Sequence, residues 1–102
     1  MAYTIVTKKR FLNKVKNLQE YLLTNWLDVV EADFMKKLDD KIKLLAQQPF
    51  IGIETSINNK IRTTLITKHN RIYYKIEGNN VIILNMIDTR RNPKTNPFIK
   101  PT

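Results

Sequence analysis

Apolar residues recur at helical spacing through the first half of this chain and at alternate positions through its last third. Phe11, Val15, Leu18 and Leu22 form one stripe, with Leu12 and Trp26 on its flanks, which predicts a helix over residues 8–25. Thr7 stands where it can cap that helix. Val30, Phe34, Leu38, Ile42 and Leu45 mark a second helix over 28–47, opened by Asp28 with Glu31 in a capping-box-like position. Few residues separate the two, so an antiparallel helical hairpin is expected. Pro49 and Gly52 end the second helix and open a loop to Asn59.

The pattern then changes period. Tyr3–Val6 is β-rich and predicts a short first strand. In Lys60–Thr67, Ile61 and Leu65 alternate with Lys60, Arg62 and Thr64, and Lys68-His69-Asn70 reads as a turn. Arg71–Glu77 alternates cleanly, with Ile72, Tyr74 and Ile76 on one side and Arg71, Tyr73 and Lys75 on the other. Gly78-Asn79 or Asn79-Asn80 supplies a tight hairpin turn. Val81–Ile87 is apolar on both faces, as a central strand would be. The order β-α-α-β-β-β predicts a two-layer α+β domain in which an N-terminal strand and a helical hairpin pack on an antiparallel sheet. One domain over residues 1–93 and an irregular tail over 94–102 are expected, the tail being marked by Pro97 and Pro101.

Charge adds a direction to this plan. The 102 residues carry a formal net charge of +9. From Lys60 onward nine Lys and Arg face two acids, whereas residues 1–59 hold nine against seven. So small a basic domain suits a polyanion or an acidic protein partner. If Ile61, Leu65, Ile72, Tyr74 and Ile76 face the helices, then Lys60, Arg62, Arg71, Tyr73 and Lys75 share an open outer face. Such a stripe can neutralise phosphates and stack a base. There is no cysteine, so disulfides and thiolate chemistry are excluded, and a reducing cytoplasm is the expected setting. With glycine only at 52 and 78, glycine-rich phosphate cradles are excluded too. No metal-ligand cluster is legible and no cofactor is expected.

Individual candidates follow. His69 is the one imidazole, the side-chain type suited to proton transfer near neutral pH. Lys60, Arg62, Lys68, Tyr73, Lys75 and Lys94 are candidates for substrate contact. Tyr74 and Trp26 read as core residues. Asp88 is expected to pair one of the arginines that follow it, with Thr89 closing the turn.

The run Arg71-Ile-Tyr-Tyr-Lys-Ile76, a turn, an apolar strand and Asp88-Thr-Arg-Arg-Asn-Pro93 resembles the RelE/ParE superfamily of toxins from bacterial type II toxin–antitoxin systems. Trp26, the helix through Ala32, Phe34, Leu38 and Ile42, then Leu45, Pro49 and Gly52 fit as well, so the resemblance spans about Tyr3 to Pro93. It implies the two-layer fold, a toxin role and a cognate antitoxin with an acidic amphipathic segment. RelE-like members cut messenger RNA on the ribosome without metal, a basic cluster stabilising the pentavalent phosphate. That implies catalytic roles for Arg71 and for Arg90 or Arg91, with His69 or a lysine moving protons. Many such nucleases also use a tyrosine or histidine in the C-terminal tail, and this tail has neither. Arginine, always protonated, cannot substitute. ParE-like members keep the fold and poison DNA gyrase. The expectation is ribosome-dependent mRNA cleavage, with gyrase inhibition or a non-catalytic nucleic-acid-binding module as alternatives.

Overall fold

The computed structural model describes residues 2–55 and 60–90. In chain order these form β1 (Thr4–Thr7), α1 (Lys9–Asn25), α2 (Asp28–Gln47), a 3-10 turn (Pro49–Ile51), β2 (Ile53–Glu54), β3 (Ile61–Thr67), β4 (Asn70–Glu77) and β5 (Asn80–Asp88). The strands make one five-stranded sheet in the order β1-β5-β4-β3-β2. The helical hairpin packs on one of its faces, as the periodicities predict. The expected tail at 94–102 lies outside the described residues.

The sheet is mixed. β1 pairs parallel with β5, Ile5 opposite Val81, while the remaining pairs are antiparallel. β5 is therefore an interior strand, flanked by β1 and β4, which fits its apolar residues on both faces. Gly78 turns the β4–β5 hairpin at φ +57, and no non-glycine among the described residues has positive φ. That is the pattern of a type II′ turn over Gly78-Asn79. β2 and the 3-10 turn have no clear period and were not legible.

Both helices begin otherwise than their caps suggest. Lys8 and Leu27 occupy the N-cap positions and neither makes a side-chain cap. Glu31 instead accepts a 2.7 Å hydrogen bond from Gln19 Nε2 across the hairpin. The solvent face of α2 is laced by Asp33–Lys37, Lys36–Asp40 and Asp39–Lys43 pairs one turn apart, each a small helical increment at the exposed surface.

Between the layers lie Phe11 and Val15 of α1, Phe34, Leu38 and Leu45 of α2, and Ile66, Ile72, Tyr74, Val81, Ile83 and Met86 of the sheet. Trp26, expected in this core, is 59% exposed. α1 ends at Asn25, and the chain is extended at Trp26 and Leu27, so the indole leaves the stripe.

Register overturns one expected face. Arg62 lies opposite Tyr74 and Thr64 opposite Ile72, whereas Ile61 pairs Lys75, Thr63 pairs Tyr73 and Leu65 pairs Arg71. Opposed residues share a face. Arg62 therefore sits on the helix side, and Ile61 and Leu65 on the outer face. The alternation in β3 identifies two sets, but only pairing with β4 decides which set points inward. β5 adds a second surprise. Ile83 pairs Tyr74 and Asn85 pairs Tyr73, so Leu84 is an extra residue and the alternation changes phase there.

Tyr74 fastens the 3-10 turn to the sheet. It is fully buried, its hydroxyl donates to Pro49 O at 2.7 Å and accepts from Gly52 N–H at 2.9 Å. Burial pushes the phenol pKa up, opposed by the Gly52 hydrogen bond. A Cβ at Gly52 would run into the Tyr74 ring and hydroxyl and come within 2.9 Å of Thr63 O. Tyr74→Phe leaves two buried backbone groups without their partner and should destabilise the fold by about 2 kcal/mol. Gly52→Ala should destabilise it more. Urea unfolding monitored by circular dichroism measures both, and a Phe variant as stable as the parent would show the staple to be dispensable.

Candidate functional site

The candidate residues fall into two places. The first is a corner made by the β3–β4 turn and the end of β5. Thr67 Oγ1 donates to Asn70 Oδ1 at 2.8 Å and accepts from His69 N–H, shaping the two-residue turn at Lys68-His69. Thr89 ties that turn to β5. Its N–H donates to His69 O and its hydroxyl to Lys68 O, both at 2.9 Å. Asp88 receives three hydrogen bonds from Arg90: backbone N–H at 2.8 Å, Nε at 3.0 Å and Nη2 at 2.7 Å. The staple read from Asp88-Thr89 is thus present, and Arg90 is its cation. This fork holds the Asp88 carboxyl down at about 2, the Arg90 side-chain hydrogen bond being the largest cause.

A cleft of about 460 Å³ separates this corner from the end of the helical hairpin. His69, Asp88 and Arg90 line one wall, and Tyr21, Trp26, Val30 and Phe34 the other. Tyr21, Leu23, Trp26, Leu27, Val29 and Val30 are all exposed within ten residues of chain. So dense an apolar patch on a small protein marks a surface that meets another molecule. Sequence reading missed it because the same residues extend the helical stripes. The signal was Asn25-Trp26-Leu27-Asp28, a helix connection too apolar for a solvated turn.

The second place is the outer face beside β3. Arg71 follows Leu65 and Ile87 across the sheet. Its Nη1 donates to Thr63 Oγ1 at 3.3 Å, and it makes no ion pair among the described residues. With Lys41, Ile51, Ile53 and Leu65 it lines a shallow depression of about 250 Å³. β3 is an edge strand beyond Thr63, because β2 pairs only Arg62 and Thr63.

The rest of the expected stripe is not a free basic platform. Arg62 donates to Gly52 O at 2.7 Å, reaches Glu54 at 3.5 Å and covers the Phe50 ring at 5.1 Å. It binds the 3-10 turn to the sheet. Tyr73 is buried on the outer face with Thr63, Asn85 and Ile87, so its ring is not an exposed stacking platform. Lys75 pairs Glu77 at 3.2 Å. Lys60 is exposed in the turn before β3, and Lys68 is exposed in the β3–β4 turn. Arg91 and Lys94 lie outside the described residues. The described parts thus bring His69 and Arg90 to one cleft and place Arg71 at another. Among the described residues no cluster of His, Cys, Asp or Glu could hold a metal ion, and no helix is long and apolar enough to cross a membrane.

A helical hairpin packed on one face of a five-stranded mixed sheet defines a two-layer α+β domain. The family profile described as ParE toxin of type II toxin-antitoxin system, parDE, matches residues 5–93. The chain belongs to that family and is the toxin component of a type II toxin–antitoxin system, which implies a cognate antitoxin. Among solved structures it is similar to the chromosomal ParDE system of P. aeruginosa, at TM-score 0.71 and 11% identity over 85% of this chain and 96% of that one. The YoeB/ParE toxin of Agrobacterium tumefaciens gives 0.60 and 17% over 83% and 96%, and isolated E. coli RelE gives 0.57 and 16% over 89% and 88%. At such identities these likenesses speak for the fold. No curated sequence matches the chain.

The Asp88–Arg90 fork has a definite pH signature. The folded-state pKa of Asp88 lies below its ordinary 3.8. Its contribution to stability is therefore in place above about pH 3.8 and is lost as pH falls through about 2. Arg90→Ala should return the Asp88 pKa towards 3.8 and flatten the stability profile between those limits. Carboxyl-carbon NMR titration reads this directly, and an unmoved Asp88 would show that another group holds it.

Proposed function

We propose that this toxin acts by gripping a macromolecular target, DNA gyrase, and not by cutting RNA. The observation that carries this reading is how the basic candidates are used. Arg62 and Arg90 are bound to partners within the fold, and His69 lies at a different cleft from Arg71. Phosphoryl cleavage without metal needs cations and a proton-transfer group converging within hydrogen-bond reach of one phosphate. Membership of the ParE family, whose members resemble this chain and poison gyrase, points the same way.

Arg71 is the natural target contact. It is half-buried, makes no ion pair among the described residues and stands beside the edge of β3 and the exposed Ile53 and Leu65. The apolar cleft at the hairpin end suits the antitoxin, whose acidic amphipathic segment would bury Trp26 and Val30 and reduce the self-repulsion of a chain at +9. Ribosome-dependent mRNA cleavage remains a second reading on one observation, the position of Arg71 where the superfamily resemblance places a phosphate-binding arginine.

In a supercoiling assay with purified gyrase, the protein should inhibit the enzyme. Arg71→Ala should weaken inhibition about tenfold, equivalent to roughly 1.4 kcal/mol of binding free energy. Full gyrase activity at saturating toxin would overturn the proposal.

A further inference from the structure

A further charged surface lies at the start of α1, with Lys14 at its border on the Asn70–Asp88 corner. Lys8, Lys9, Arg10, Lys14 and Lys16 crowd the first two turns of α1, and no acid precedes Glu20. All but Lys14 are exposed, and none makes an ion pair among the described residues. α2 is different, because Lys36, Lys37 and Lys43 each have an aspartate one turn away. Three of the four lysines of α2 thus have a counter-charge within the helix, whereas the cations at the start of α1 have none among the described residues.

Their position also opposes helix stability. The N-terminus of a helix carries partial positive charge, so a cation in the first turn is unfavourable where an acid would stabilise. The first turn of α1 holds no acid and no side-chain cap. A patch that weakens its own helix and has no ion pair among the described residues fits an external anion.

We propose that the N-terminal half of α1 is a sequence-independent docking surface for the phosphate backbone of duplex DNA. Lys9 and Lys16 stand two turns apart, about 10 Å along the axis, with Arg10 and Lys14 one turn apart beside them. Cations spread over that length can reach more than one phosphate of a backbone laid along the helix. The only aromatic in this stretch, Phe11, is buried. There is no platform for an unpaired base, so a duplex is favoured over a single strand. An acidic amphipathic helix would need apolar surface as well, and here only Leu12 is exposed. The apolar patch lies at the opposite end, Trp26 being about 24 Å from Arg10 along the axis. One end of α1 thus suits a protein and the other a nucleic acid. This inference goes beyond the proposed target and stands independently of it.

The test is fluorescence anisotropy with a labelled duplex of about 20 base pairs, long enough for several phosphate contacts, across a salt series, using the full chain and no gyrase. The variant Lys9→Gln/Arg10→Gln/Lys16→Gln is compared with Lys36→Gln/Lys37→Gln/Lys43→Gln, which removes the same charge from α2. The α1 variant should bind at least about tenfold more weakly, with a log–log salt slope shallower by roughly 2–3, about 0.9 for each phosphate no longer neutralised. The α2 variant should bind almost as tightly as the parent. Because the α1 substitutions relieve the helix dipole, that variant should melt at or above the parent temperature, which separates weakened binding from a damaged fold. Equal weakening by both variants would show that net charge alone acts, and overturn the proposal. So would an α1 variant that retains DNA binding but no longer binds a poly-glutamate peptide, which would assign the patch to an acidic protein.

Discussion

The extra residue in β5 is the constraint on which the arrangement of this molecule depends. Before Leu84, odd-numbered Val81 and Ile83 face the helices. After it, even-numbered Met86 joins the helix-side core while Asn85 and Ile87 turn to the other face. A strand has period two, so a single inserted residue exchanges the faces of everything beyond it. Asp88 is thereby delivered to the helix side, where it lines the cleft, forks with Arg90 and stands beside the turn that carries His69. With regular alternation Ile87 would enter the core and Asp88 would leave it.

The opposite corner of the sheet depends on Tyr74. Its hydroxyl satisfies a donor and an acceptor on the 3-10 turn, and Gly52 lets that backbone come close enough. Arg62 lies opposite Tyr74 and completes the attachment through Gly52 O and Glu54. Arg62, which reads as a substrate contact, is thus structural, and Tyr74 is the core residue its sequence position predicts. Building this corner from an arginine removes one cation from the surface and leaves Arg71 as a half-exposed cation on the neighbouring strand.

Much of the fold was legible because its periods are long and regular. The α2 boundaries coincide with those predicted, and β4 and β5 extend only a residue or so beyond theirs. The stripe through Phe34, Leu38 and Leu45 is buried, as one helical face should be. The candidate site was less legible, for physical reasons. Local alternation cannot say which face of β3 points inward, since that information resides in its pairing with β4. A bulge leaves no mark in a strand as uniformly apolar as Val81–Ile87. Trp26 and Val30 fit a helical stripe equally well whether or not anything in the chain covers them. The Asp88–Thr89–Arg90 staple was readable because its partners are neighbours in sequence.

Among the described residues, Arg62 and Arg90 are engaged within the fold and His69 lies in a different cleft from Arg71, the arrangement on which the proposed gyrase-directed action rests. The most direct measurement is primer extension on a defined reporter transcript in cells, before and shortly after induction of the toxin without its antitoxin. Growth arrest with the transcript intact from end to end is the predicted result. Discrete cleavage within the open reading frame, appearing with arrest and dependent on translation, would contradict the account and place Arg71 in a nuclease site.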